Sequence, residues 1–124
     1  MTEEDREQEK VFMWAGFRQH QAPELRLLYA IPNGGWRSPA TAALLKRTGV
    51  KPGVPDMCLP VARQGYHGLY IELKRGTGGR VSVEQKKWML ALSQEGYKAC
   101  VCRGADEAIQ TIRAYIGLTG ANAV

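Results

Sequence analysis

Glycine and proline divide most of this chain into short segments. The 124 residues include 14 glycines and 6 prolines, and both residue types tend to end or bend regular structure. The segments between them show either helical periodicity or short apolar runs. We predict helices over residues 3–20, 40–47, 82–95 and 106–116, and strands over 27–31, 56–61, 67–74 and 97–102.

The order of these segments, αβαββαβα, predicts an α/β protein. A short turn joins the second and third strands, which should therefore pair antiparallel. A helix separates the third and fourth strands, as in a parallel crossover. We expect one domain over residues 1–118, built on a mixed sheet flanked by helices, with residues 119–124 forming a flexible tail.

The composition excludes several classes of protein. Apolar residues make up 44% and charged residues 23% of the chain, which is typical of a folded globular domain. No apolar run approaches the roughly 20 residues that cross a bilayer, and residues 1–9 are acidic, unlike a targeting leader. Three cysteines are too few for a disulfide framework. We expect a cytoplasmic protein with reduced thiols and no membrane attachment.

Positive charge is unevenly distributed along the chain. The net charge is +5, and the segment 63–87 holds six lysines and arginines against two glutamates. Such an excess suits a polyanion such as nucleic acid, because phosphates attract lysine and arginine without regard to sequence. An ordinary solvated surface is the alternative explanation.

The most informative chemistry lies in Asp56 and in the triplet Glu72-Leu73-Lys74. Side chains alternate along a strand, so Glu72 and Lys74 share a face while Leu73 points into the core. Asp56 begins the neighbouring strand and meets Glu72 if the register places them opposite each other. Two carboxylates that close favour a divalent cation between them. The alternative is a same-face pair at a sheet edge, with Asp56 as a turn residue.

A lysine beside such a cation completes a set suited to phosphodiester hydrolysis. The metal lowers the pKa of bound water and polarises a phosphoryl oxygen. An ammonium group such as that of Lys74 can orient the attacking water and offset the negative charge that develops in the transition state.

Around this set, the sequence resembles the PD-(D/E)xK nuclease superfamily and, within it, the VRR-NUC (virus-type replication-repair nuclease) family. The resemblance spans about residues 4–116. The resembling stretches are Ile-Pro-Asn-Gly-Gly at 31–35, Gly-Val-Lys-Pro-Gly-Val-Pro-Asp at 49–56, Ile-Glu-Leu-Lys at 71–74, and Ser-Val-Glu-Gln at 82–85 followed by Trp88. It implies a restriction-endonuclease-like fold, and the short chain is similar to the stand-alone phage and bacterial members.

The resemblance also implies residue roles. Asp56 and Glu72 would hold Mg²⁺ or Mn²⁺ with the backbone carbonyl of Leu73, and Lys74 would be the catalytic lysine. Gln85 matches a family glutamine on the helix after the lysine strand. An acidic residue four positions before a glutamine on the first helix fits Glu4 with Gln8, although Glu3, Glu7 and Glu9 also compete for this assignment. The stand-alone members are similar to homodimeric endonucleases that cut branched DNA, including Holliday junctions.

Some of these residues have simpler explanations that the sequence leaves open. Gln85 stands three residues after Ser82 and would complete a capping box. Glu4 would favour the positive end of its helix dipole. Asn33 would supply turn geometry or, alternatively, a DNA contact.

Several residues are candidates for contact with DNA. Trp36 lies in a polar turn and suits base stacking or a dimer contact. The other candidates are polar or basic residues of loops and helix starts: Asn33, Arg37, Arg75, Arg80 and Lys86.

Three hypotheses follow. The first is a metal-dependent DNA endonuclease that acts on Holliday junctions or other branched DNA as a homodimer, because two symmetric cuts need two active sites. The second is a non-catalytic nucleic-acid-binding module that retains the fold. The third is a small basic adaptor of a replication complex.

Overall fold

Four helices and four strands form the molecule in the computed structural model, which describes residues 1–32 and 36–118. The helices are α1 (Glu3–Arg18), α2 (Pro39–Arg47), α3 (Val83–Gln94) and α4 (Ala105–Ile116), and a 3₁₀ helix covers Pro23–Leu27. The strands are β1 (Tyr29–Ala30), β2 (Met57–Leu59), β3 (Leu69–Lys74) and β4 (Lys98–Arg103). The predicted tail 119–124 lies outside the described residues.

The strands form one mixed sheet in the order β1-β2-β3-β4. Strand β2 pairs antiparallel with both β1 and β3, and β3 pairs parallel with β4. The predicted element order, the antiparallel hairpin and the parallel crossover are confirmed. The α/β fold class follows directly from these pairings.

The first two strands are shorter than the sequence predicts, for local reasons. The predicted strand 27–31 begins only at Tyr29, because the preceding residues form the 3₁₀ helix. It ends before Pro32, although the Ile31 amide still donates to the Asp56 carbonyl. Strand β2 ends at Leu59 because Pro60 has no amide hydrogen for the ladder. Both strands therefore end within two residues of a proline.

One face of the sheet carries the apolar core. Alternate residues of β3, namely Leu69, Ile71 and Leu73, are fully buried together with residues of β2. Helices α1 and α4 cover this face. Their buried side chains recur at helical spacing: Val11, Ala15, Ala108, Ile112 and Tyr115.

The other face of the sheet is only partly covered. Helix α3 packs against β4 from this side and has no fully buried residue, although Trp88 is partly buried. Helix α2 likewise has no buried residue, and Leu44 is half-exposed. None of the described helices is both long and apolar enough to cross a membrane. The polar side chains of β3, Glu72 and Lys74, project to this partly covered face.

Candidate active site

Asp56 lies directly across from Glu72. Met57 pairs with Ile71 in the antiparallel ladder, and one further step of the same register sets Asp56 opposite Glu72. Asp56 Oδ2 accepts a hydrogen bond of 2.7 Å from the Leu73 amide, which fixes the carboxylate against the edge of β3. The two acids selected from the sequence are therefore brought together on one face.

Glu72 is a buried carboxylate with one unsatisfied oxygen. It is 3% exposed, and its Oε2 accepts a 3.0 Å hydrogen bond from Gln85 Nε2. Its Oε1 is buried and has no hydrogen-bond partner among residues 1–32 and 36–118. A buried oxygen without a partner is costly, so this atom has an unfilled position for a donor or a cation.

The two carboxylates perturb each other. Burial and then the Asp56 carboxylate raise the pKa of Glu72 to about 8, while Lys74 acts in the opposite direction. Burial also raises the pKa of Asp56, against the lowering effect of the Leu73 hydrogen bond. A cation bound between two such carboxylates stabilises their ionised forms, because its charge offsets the repulsion between them.

Lys74 provides the positive charge at this site. Its side chain is buried, and its Nζ lies 3.5 Å from Glu72 Oε2. Glu72 and Lys74 are two residues apart on β3 and so project to the same side. The structure therefore places the amine beside the carboxylate pair, as the sequence predicts from strand alternation.

Gln85 makes both contacts that its sequence position suggests. Its Oε1 accepts from the Ser82 amide at 2.8 Å, and Ser82 Oγ accepts from the Gln85 amide at 3.1 Å, which completes the capping box of α3. Its Nε2 remains free to donate to Glu72. A glutamine amide has separate acceptor and donor ends, so one side chain fixes the helix start and orients the acid.

Glu4 is the acid of α1 that lies nearest the site. Burial is the largest cause that raises the pKa of Asp56, and the charge of Glu4 also raises this pKa. A Cβ on Gly79 would lie 3.4 Å from Glu4 Oε2 and 3.5 Å from Lys74 Cδ, so Glu4 and Lys74 border the same glycine. Sequence alone does not separate Glu4 from its neighbours, because all of them lie in the first turns of one helix.

The competing acids of α1 have other roles. Asp5 forms a capping box with Thr2 at the start of the helix. Glu7 Oε1 accepts a 2.9 Å hydrogen bond from the Ala105 amide at the start of α4. The Glu7 contact connects α1 to α4, and Glu3 and Glu9 are exposed. Among the acids of α1, Glu4 is the one whose charge acts on Asp56. Gln8, its predicted companion, is partly buried.

The predicted DNA-contact residues lie at the surface where the structure describes them. Trp36 is 88% exposed, and the basic candidates Arg37, Arg75, Arg80 and Lys86 are also exposed. Asn33 lies outside the described residues. The DNA-contact roles of all six residues stay predictions.

Arg103, which the sequence does not single out, holds the loop after β3. Its Nη1 donates to the Gly79 carbonyl at 2.9 Å and to the Arg75 carbonyl at 3.5 Å. Its place at the end of β4, beside Lys74 in the parallel register, is the signal that could have identified it. The loop that carries Arg75 is therefore anchored next to the site.

The donor set fits a hydrated divalent cation. In the described part of the chain, no group of three or more His, Cys, Asp or Glu residues is arranged to hold a metal. Two carboxylates are nevertheless enough for Mg²⁺, which usually keeps several waters and takes one or two protein carboxylates. The unpartnered Glu72 Oε1 is the observation in favour of this fit. Leu73, whose carbonyl is the predicted third ligand, has its amide on Asp56 and its side chain in the core.

Comparison with known proteins agrees with this geometry. A model of the VRR-NUC domain matches residues 2–106. A solved structure described as a VRR_NUC domain protein is 34% identical, with a TM-score of 0.79, and the match covers 98% of this chain and 93% of that chain. No curated protein matches. The chain therefore belongs to the VRR-NUC family and has a nuclease-type fold.

Proposed function

We propose that this protein is a divalent-metal-dependent endonuclease that hydrolyses phosphodiester bonds in DNA. The observation that carries the proposal is the pair formed by the partly buried Asp56 and the buried Glu72, in which Glu72 Oε1 has no partner within the described residues. A structural pair would be expected to satisfy its buried oxygens within the chain. A pair that leaves one open is typical of a ligand site.

Asp56, Glu72 and the Leu73 carbonyl would hold Mg²⁺ or Mn²⁺, with Glu4 as a further acid nearby. When bound, the metal lowers the pKa of its water and polarises the phosphoryl oxygen. Gln85 keeps Glu72 oriented through its 3.0 Å hydrogen bond. The Leu73 amide does the same for Asp56. The chain thus fixes both carboxylates before a substrate arrives, and preorganised charge is the largest source of catalysis in such sites.

Lys74 is the proposed catalytic lysine. Its ammonium group lies 3.5 Å from Glu72 Oε2 and is largely shielded from solvent. A shielded charge acts more strongly on a reacting phosphate than an exposed one. Lys74 would orient the attacking water and offset the negative charge that develops on the phosphoryl group.

Basic side chains beside the site would bind the DNA backbone. Arg75 is exposed on the loop that Arg103 anchors. Arg80 and Lys86 are exposed before and within the first turns of α3, the helix that carries Gln85. Exposed cations on both sides of a carboxylate pair would hold phosphates near it without sequence preference. Trp36 and Arg37, with Asn33, are proposed as further DNA contacts.

We propose that the active species is a homodimer that cuts branched DNA such as Holliday junctions. Helix α2 has no buried residue within the chain and leaves Leu44 half-exposed. An unpartnered helix face in a small domain suits a two-fold contact with a second copy. Light scattering coupled to size-exclusion chromatography tests this proposal. A mass of two chains is expected, and a monomer with and without DNA would contradict it.

A cleavage panel tests the proposed activity and substrate together. Labelled four-way, flap, splayed-arm and linear DNA are incubated with Mg²⁺, Mn²⁺ or EDTA. Metal-dependent cutting with preference for the four-way junction is expected, and EDTA should abolish it. Salt-sensitive binding without any cutting would instead favour the non-catalytic binding module. A complex with other proteins that forms without DNA would favour the adaptor.

A further inference from the structure

Gly53 packs closely against the first turn of the helix that carries Gln85. A Cβ at this position would lie 2.7 Å from the Glu84 carbonyl carbon and 2.8 Å from the Glu84 carbonyl oxygen. These are backbone atoms of the first turn of α3, which cannot move aside as a flexible side chain can. Gly53 also has a φ of +91°, which side-chain-bearing residues rarely adopt. Two independent constraints therefore require glycine here.

The contact joins two parts of the proposed site. Gly53 lies three residues before Asp56, and the intervening Pro55 is fully buried, so the loop has little freedom. Glu84 directly precedes Gln85, whose amide holds Glu72. The spacing between the loop and the helix therefore also sets the spacing between the Asp56 carboxylate and the amide that orients Glu72.

We propose that Gly53 is a positioning residue, which holds the first turn of α3 close enough for Gln85 to orient Glu72 opposite Asp56. The inference deepens the proposed nuclease function and rests on it. Its effect is transmitted through Gln85, because Gly53 itself has no side chain to offer a substrate. A misplacement of even 1 Å at such a site costs about 100-fold in rate.

Gly49 provides a matched control in the same connection. It has a φ of +106°, but nothing in the described residues lies within 4 Å of a Cβ built there. Gly49→Ala therefore introduces the same kind of backbone strain as Gly53→Ala without the collision with α3. A difference between the two variants reports the contact with Glu84 rather than the loss of a flexible glycine.

The first experiment follows the side-chain amide signals of Gln85 by NMR in metal-free protein, with no nuclease activity required. Gly53→Ala should move or broaden these signals, and Gly49→Ala should leave them in place. Gly53→Asn serves as a second variant if Gly53→Ala folds poorly, since asparagine tolerates positive φ better and carries the same Cβ. Unchanged Gln85 signals in the Gly53 variants would overturn the proposal.

The second experiment measures single-turnover cleavage of the DNA that the wild type cuts. Gly53→Ala should lower the rate about 100-fold, and Gly49→Ala less than about 3-fold. In a Gln85→Ala background, Gly53→Ala should have almost no further effect, because the two residues act through one contact. Full additivity of the two losses would contradict positioning through Gln85. A wild type that cuts no DNA would contradict the proposed function, whereas the NMR result would still decide the role of Gly53.

Discussion

Strand β3 presents two faces that are chemically opposite, although both carry buried side chains. Leu69, Ile71 and Leu73 face the apolar core under α1 and α4, whereas Glu72 and Lys74 face the partly covered side near α3. On the first face, burial stabilises the fold through apolar contact. On the second, burial raises the pKa of Glu72 to about 8 and leaves Oε1 without a partner among the described residues. The same strand therefore provides stability on one side and the proposed active-site residues on the other.

The largest effect expected is the loss of cleavage in Glu72→Gln. This change keeps the shape of the side chain but removes the charge that would hold the metal, so the single-turnover rate should fall by about 1,000-fold or more. DNA binding, measured by fluorescence anisotropy, should stay near the wild-type value. Glu95→Gln, the same change at an exposed position, is the control. Wild-type cleavage by Glu72→Gln would show that the polar face is not the active site.

Substitutions on the core-facing side of β3 should change the free energy of unfolding rather than the cleavage rate. Ile71→Ala removes a fully buried side chain and should lower the free energy of unfolding by about 3 kcal/mol in urea titration. Leu90→Ala, at a position 61% exposed, should cost less than about 0.5 kcal/mol. If Ile71→Ala left the free energy of unfolding near the wild-type value, this face would not be the main source of stability.

The stability of the metal-free protein should depend on pH through Glu72. The folded state holds the pKa of this acid near 8, above its ordinary value of 4.5. The folded state therefore binds the proton more tightly, and the free energy of unfolding should fall as pH rises from about 4.5 to 8. Glu72→Gln should reduce this slope, with a gain of the order of 1 kcal/mol at pH 8. Thermal unfolding in EDTA at several pH values measures this dependence. If the stability of the wild type and of Glu72→Gln changed equally with pH, the slope would not come from Glu72.

The sequence predicts the alternation of the two faces because that pattern is local. The pairing of Glu72 with Lys74 follows from the two-residue period of a strand, and the element boundaries follow largely from glycine and proline. Strand β1 is overestimated because the apolar residues before it fill a 3₁₀ helix instead. Element order is thus more predictable from sequence than the lengths of short strands.

The contacts that complete the site are not local and could not be predicted individually. Glu4 and Glu7 look alike in sequence, yet Glu7 reaches the amide of Ala105 and Glu4 lies near Asp56. Gln85 looks like a helix cap and is also a partner of Glu72. These distinctions depend on where α1 and α3 begin relative to β3, which only the tertiary packing determines.

The smallest effect is expected at the proposed DNA-contact surface. Arg80→Ala removes one exposed cation and should weaken DNA binding only a few-fold, with the slope of log affinity against log salt falling by about 1. Cleavage at saturating protein should remain close to the wild-type rate. Arg26→Ala, an exposed arginine of the 3₁₀ helix, is the control and should leave the slope unchanged. An unaltered salt slope in Arg80→Ala would remove this residue from the DNA-contact set.

Asp56 and Glu72 are proposed to bind a divalent cation together. Calorimetric titration of DNA-free protein with Mn²⁺ tests this proposal most directly, using the wild type, Asp56→Asn, Glu72→Gln and the surface control Glu95→Gln. Saturable binding is expected in the wild type and the control, and loss of that binding in both site variants. Equal binding by all four proteins would contradict the account.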